Sequence, residues 1–175
     1  LADDTVVLFT AAHGHLQRRY GLKNVSLPYE ESVGIPLIVR VPGGSRGMVT
    51  DALVSGVDFY PTCLDYAGLS PADDLSGTDF APLTYGDAQL LNGPVFAEME
   101  GWKMVRRSAW KLVVEGRQFD PMYLYNLARD PFEMENCIDD PGQSDRIRSL
   151  RDEIVDWQAR AGAAPAQASR VLQRA

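Results

Sequence analysis

The two histidines of the 175-residue chain, His13 and His15, lie two positions apart in the stretch LFTAAHGH. Near neutral pH an imidazole can bind a metal ion or accept and donate a proton. The stretch follows an apolar run, and open α/β sheets place their ligand sites where a strand ends. His13 is therefore the first candidate site residue, and the alternative is an ordinary polar side chain in a turn.

Basic side chains follow the histidines at Arg18, Arg19 and Lys23. Because the chain carries a formal net charge of −7, an anionic substrate would have to be attracted by such local positive charge. The same charge balance argues against nucleic acid or an anionic membrane surface as a partner. Lys23 is a candidate anion contact, and the alternative is a solvated lysine.

The elements that must position these residues begin with two apolar, β-branched runs, which predict buried strands over Thr5–Thr10 and Ile35–Arg40. Since a long polar loop joins the runs, we expect both strands in one parallel α/β layer. The segment Ser55–Gly68 is typical of a helix with a capping serine and a terminal glycine. Its apolar residues, among them Val57 and Tyr60, are expected to face the core.

A different pattern begins near Gly93, after an irregular connection rich in Pro and Gly. Short alternating runs with turn residues between them predict an antiparallel meander. Apolar residues three or four positions apart then predict an amphipathic helix packed on that sheet, namely Ile147, Leu150, Ile154 and Trp157. The charged side chains of these strands, such as Arg106 and Lys111, are expected to be solvated.

No apolar run reaches the roughly 20 residues of a membrane-spanning helix, and no signal peptide is visible. The chain begins without Met and reaches a strand pattern almost at once, which predicts a piece of a longer protein. These observations leave the compartment and the oligomeric state open.

The order of the segments resembles the C-terminal half of the type I sulfatases, a branch of the alkaline phosphatase superfamily. The resemblance rests on TAAHGH, PYEES with the following IPLIVR, VDFYPTCLDYAGL, and WKLV followed by LYNLARDPFEMEN. It implies an α/β fold: the C-terminal part of an alkaline-phosphatase-like sheet, then a small antiparallel sheet packed with a C-terminal helix. The implied division is 1–92 for the catalytic-domain part and 93–175 for the small subdomain.

The resemblance implies a sulfuric ester hydrolase that acts on a small sulfate ester. Family members use a formylglycine, made from Cys or Ser in a C/S-x-P/A-x-R motif, beside a divalent cation that is usually calcium. Neither Cys63 nor Cys137 lies in that motif, and the family's nucleophile and first metal-binding aspartates belong to its N-terminal half. The chain alone is therefore expected to be inactive. The alternatives are a phosphodiesterase or phosphonate hydrolase of the same superfamily and a degenerate, non-catalytic binding domain.

The family pattern after the strand is S/A-D-H/N-G, in which the Asp and the next residue bind the metal. His13 matches the second of these ligands, whereas Ala12 takes the place of the aspartate. Since calcium takes six to eight oxygen ligands, the chain by itself is expected to bind none. The family's sulfate-binding lysine aligns with Val25, and Lys23 could replace it because its stem is long and flexible. His15 stands where many relatives carry an acidic residue and is a further candidate for substrate binding.

Overall fold

The computed structural model of the chain describes residues 1–16, 21, 27–70, 75–87 and 93–163. Its strands are β1 Val7–Thr10, β2 Leu37–Arg40, β3 Val95–Met99, β4 Trp102–Arg107, β5 Trp110–Glu115 and β6 Pro121–Asn126. Its helices are α1 Glu30–Val33, α2 Phe59–Tyr66, α3 Ala81–Thr84 and α4 Ser144–Ala163, with short 3₁₀ turns at Ala2–Asp4, Gly56–Asp58 and Pro141–Gln143. None of the helices in these ranges is both long enough and apolar enough to cross a membrane.

The strands β1 and β2 form a two-stranded sheet, as expected, but they run antiparallel, so the predicted parallel layer is wrong. One face packs on Phe80 and Leu83, whereas Phe9 and Ile38 on the other face are 58% and 65% exposed. An apolar run does not encode strand direction, and the long connection permits either one. The antiparallel pairing brings the end of β1 at Thr10 opposite the start of β2.

The predicted helix is confirmed as a 3₁₀ turn, Gly56–Asp58, that continues into α2, and the predicted capping serine, Ser55, forms a reciprocal cap with Asp58. The prediction that Val57 and Tyr60 face the core is wrong, however, because they are 55% and 60% exposed. Asp58 and Thr62 are buried instead, and the Thr62 hydroxyl donates to the Asp58 carbonyl at 2.6 Å. The same hydroxyl accepts the backbone N–H of Phe80 at 2.9 Å, so hydrogen bonds allow this polar face to be buried.

The strands β3, β4, β5 and β6 form an antiparallel sheet in chain order, which confirms the predicted meander. On one face the core is formed by buried residues of three strands, Val105, Leu112, Val114 and Leu124, and by Leu150 and Ile154 of α4. On the other face Val33 of α1 packs against Trp102, Met104 and Val113. β5 is therefore covered on both sides. The predicted division at 92/93 stays a prediction.

The apolar stripe of α4 faces the sheet as predicted, with Leu150 and Ile154 fully or nearly fully buried. Trp157 is half-buried and stacks on Phe96, with 5.0 Å between ring centroids and 1° between ring planes. Phe96 belongs to β3, an edge strand of the sheet. Trp157 therefore lies over that edge, which is consistent with its partial burial.

Candidate functional site

His13 lies in the turn that follows β1, and its side chain is exposed. Its Nδ1 lies 2.7 Å from the carbonyl oxygen of Gly14. A carbonyl can only accept a hydrogen bond, so Nδ1 is the donor and carries a proton. In the neutral ring, the lone pair of Nε2 is then the one available to a proton or a metal ion.

The turn is seated on α1 through Gly14. Its backbone N–H donates to the carbonyl of Ser32 at 2.8 Å. A Cβ at this position would lie 2.1 Å from the carbonyl oxygen of Glu31 and 2.9 Å from that of Gly34. Real Cβ atoms do not approach backbone oxygens so closely, so glycine is the residue that fits here. The glycine of the AHG stretch is thus explained by backbone packing.

The other predicted site residues are distributed differently. Ala12 and His15 are exposed in the same turn as His13. Lys23 lies outside the described residues, as do Arg18 and Arg19, so the anion contact at Lys23 stays a prediction.

The metal expected from the resemblance can be tested against this geometry. Among the described residues, no group of three or more His, Cys, Asp or Glu side chains is placed to hold a metal ion. An exposed imidazole beside the methyl group of Ala12 does not meet the demand of calcium for several oxygen ligands. The described residues around His13 therefore do not fit a calcium ion. The thiols of Cys63 and Cys137 are both free, and Cys63 is exposed.

A partly buried ionic network surrounds Glu30, the first residue of α1. The Nζ of Lys111 is 2.7 Å from Oε1 of Glu133 and 3.1 Å from Oε1 of Glu30. Oε2 of Glu30 accepts a hydrogen bond from Arg106 at 2.6 Å, and Oε2 of Glu133 accepts the backbone N–H of Glu30 at 2.6 Å. Two cations and two carboxylates are thus grouped around the first residue of α1.

This network corrects the expectation that Lys111 is solvated, because its side chain is 0% exposed. The side chain of Arg106 keeps 31% exposure. Burial raises the pKa of the Glu133 carboxyl above its ordinary value, and the Lys111 ammonium opposes that rise. A lysine in a strand gives no sign of burial in the sequence, since its partners come from distant segments. The one available signal is the acidic PYEES segment, which contains Glu30.

A cleft of about 740 Å³ opens beside the network. Glu30, Met104 and Arg106 line one part of it, and Asp51 and Ser108 are among the other lining residues. His13 does not line this cleft. The cleft and the histidine turn are therefore different places on α1. Residues of α1 line the cleft, and the turn packs on α1 through Gly14.

Comparisons with known proteins place this geometry in a family. The family model described as N-sulphoglucosamine sulphohydrolase, C-terminal, matches residues 18–160. Arylsulfatase K of Danio rerio is 32% identical over 165 residues, which cover 87% of this chain and 32% of that protein. The solved structure of a 2-O GAG sulfatase superposes with a TM-score of 0.78 at 26% identity, covering 90% of this chain and 37% of the other.

A phosphonate monoester hydrolase from Silicibacter pomeroyi shares the fold, with a TM-score of 0.80 at 22% identity over 90% of this chain and 35% of its own. The chain thus spans about a third of the length of these proteins. The expected fold class is confirmed, with the antiparallel sheet and C-terminal helix in place. Because the family model matches most of the chain, the chain belongs to the C-terminal family of N-sulphoglucosamine sulphohydrolase and is a sulfatase C-terminal region.

Proposed function

We propose that the chain forms the C-terminal part of a sulfuric ester hydrolase that acts on a small sulfate ester. The observation that supports this is the family match over residues 18–160, together with relatives that are named as sulfatases. The family description and the 2-O GAG sulfatase concern sulfated sugars, so a sulfated sugar is the favoured substrate class.

His13 is the residue of this chain that we place in the reaction. The Nδ1–H bond to Gly14 leaves Nε2 as the atom that would bind a metal ion or move a proton. His15 and Lys23 are proposed substrate contacts, because a lysine ammonium attracts a sulfate oxygen by charge. A positioned imidazole that transfers a proton accelerates a reaction by about 10² to 10⁴-fold.

The divalent cation, proposed to be calcium, would need oxygen ligands from outside the described residues. Ala12 removes the carboxylate that would stand beside His13. We therefore propose that this chain alone binds no calcium and turns over no ester, and that a longer protein supplies both the nucleophile and the acidic ligands.

Two measurements test these proposals. Isothermal calorimetry of the 175-residue chain with calcium is expected to show no binding, and micromolar binding would mean that the site lies elsewhere. In the longer protein that the proposal requires, p-nitrophenyl sulfate should be hydrolysed, and His13→Ala should lower kcat by about 10²-fold or more. Gly56→Ala is the matched control, because a Cβ at Gly56 meets nothing within 4 Å.

The same assay separates the alternatives. Preference for p-nitrophenyl phosphate or a phosphonate ester would favour the related hydrolases. Absence of turnover with every ester, in a longer protein without the C/S-x-P/A-x-R motif, would favour a binding domain. An active enzyme unaffected by His13→Ala would contradict the proposed role of His13.

A further inference from the structure

We propose that Lys111 and Glu133 are positioning residues, which fix α1 through Glu30 and thereby set the place of the His13 turn. The part of this inference that concerns catalysis rests on the proposed function of His13. The part that concerns the position of the turn does not.

The first step is that α1 needs an external anchor. It spans four residues, Glu30–Val33, and has two helical hydrogen bonds, from Val33 N–H to the Tyr29 carbonyl at 3.0 Å and from Gly34 N–H to the Glu30 carbonyl at 2.7 Å. So short a helix is not stable by itself, because nucleation fixes several dihedral angles for each early hydrogen bond. Its position must therefore come from what surrounds it.

The second step is that β5 and the segment after β6 supply this anchor, because each contributes a hydrogen bond to Glu30. Glu133 accepts the backbone N–H of Glu30 across 103 residues of sequence. Lys111 donates to the carboxylate of Glu30 across 81 residues. Glu133 itself has a φ of 54°, a conformation that a non-glycine residue keeps where its surroundings hold it. Both the main chain and the side chain of Glu30 are thus fixed.

The third step concerns charge. Arg106 and Lys111 are paired directly across β4 and β5, on the sheet face that α1 covers. Like charges in directly opposite positions repel, and a buried ammonium is costly without an anionic partner. The carboxylates of Glu30 and Glu133 balance the charge of both cations, and Glu30, which pairs with each of them, belongs to α1. An apolar pair would pack as stably or better, but it would not fix α1 in one place.

The fourth step carries this position to the histidine. Ser32 and Glu31 of α1 are the groups that the Gly14 backbone contacts. His13 is the adjacent residue, and the Nδ1–H of its ring donates a hydrogen bond to the Gly14 carbonyl. A shift or rotation of α1 therefore displaces the His13 ring together with the backbone of Gly14.

The experiment compares two ion pairs between the sheet and a helix. The double variant Lys111→Met/Glu133→Gln removes both buried charges at similar volume, so it is expected to fold. The control is Glu153→Gln, which breaks the pair between Glu153 and Arg107 at 2.8 Å on the α4 side. Hydrogen exchange of the Gly14 amide, followed by NMR in the 175-residue chain, reports the contact between the turn and α1.

We expect the Gly14 amide to exchange about tenfold faster in the double variant, because its bond to Ser32 opens more often. The amide of Leu112, within β5, should stay within about twofold of its original rate, and the control should change neither. In the longer, active protein the double variant should lower kcat, because the displaced His13 ring is the group proposed to act in the reaction.

A folded double variant whose Gly14 amide keeps its exchange rate overturns the inference. Faster exchange with an unchanged kcat overturns the part that concerns catalysis, because the position of the turn would then not matter for the reaction. A longer protein that hydrolyses no sulfate ester refutes the proposed function alone. In that case the exchange rates still decide whether Lys111 and Glu133 hold the turn.

Discussion

Replacing Gly14 with Ala tests the contact on which the candidate site is built. The new Cβ would stand 2.1 Å from the carbonyl oxygen of Glu31. An ordinary contact is about 3.5 Å, so the turn or α1 must retreat by about 1.4 Å. That movement exceeds what the hydrogen bond from Gly14 to Ser32, now 2.8 Å, can accommodate.

The magnitude follows from three contributions. Overpacking against backbone costs about 1 to 3 kcal/mol, and the lost hydrogen bond costs about 1 kcal/mol. The smaller backbone entropy of alanine in the unfolded chain returns about 0.5 kcal/mol. Gly14→Ala is therefore expected to lower the free energy of unfolding by about 1.5 to 3.5 kcal/mol.

Urea unfolding monitored by tryptophan fluorescence measures this difference. The control Gly56→Ala has no atom within 4 Å of the new Cβ, so it should be neutral or slightly stabilising. If the two variants unfold within about 0.5 kcal/mol of each other, the turn does not pack on α1 and the account of the site fails.

Three further substitutions probe the small sheet and its helix. Ile154→Ala, at a fully buried position, should lower the free energy of unfolding by about 2 to 5 kcal/mol. Trp157→Ala should lower the free energy of unfolding less than Ile154→Ala does, by about 2 kcal/mol, because the ring is half-buried and stacks on Phe96. A loss as large as that of Ile154→Ala would contradict the half-burial of Trp157. Backbone N–H groups of the following turn lower the pKa of Glu115, so its stabilising contribution is present above the ordinary carboxyl pKa and is lost as the pH falls through the lowered value. Glu115→Gln should therefore flatten the change in urea midpoint between about pH 6 and about pH 3, and an unchanged slope would contradict this.

Features that arise from local patterns could be predicted from the sequence. The four-stranded meander follows from alternating runs separated by turn residues, and the α4 stripe follows from its spacing of three and four. The family resemblance added the C-terminal sulfatase architecture. Each of these depends on neighbouring residues or on the order of segments.

Features that depend on distant partners could not be predicted in this way. The direction of β2 relative to β1 is independent of their apolar content. A lysine within a strand is expected to be exposed, and the burial of Lys111 depends on Glu30, which lies 81 residues away. The polar face of α2 is buried because Thr62 bridges two backbone groups, one of which belongs to Phe80.

The arrangement also indicates why a small sheet and a histidine turn occur in one chain. The turn contributes one basic nitrogen, and α1, on which it rests, cannot hold its own position. The sheet offers a rigid surface, since β5 is covered on both faces and its residues 111–114 are buried. Glu30 is the residue that contacts that surface and begins the helix under the turn. Substitutions at Lys111 or Glu133 should accordingly be interpreted as changes to the position of α1 under the His13 turn, although neither residue contacts His13.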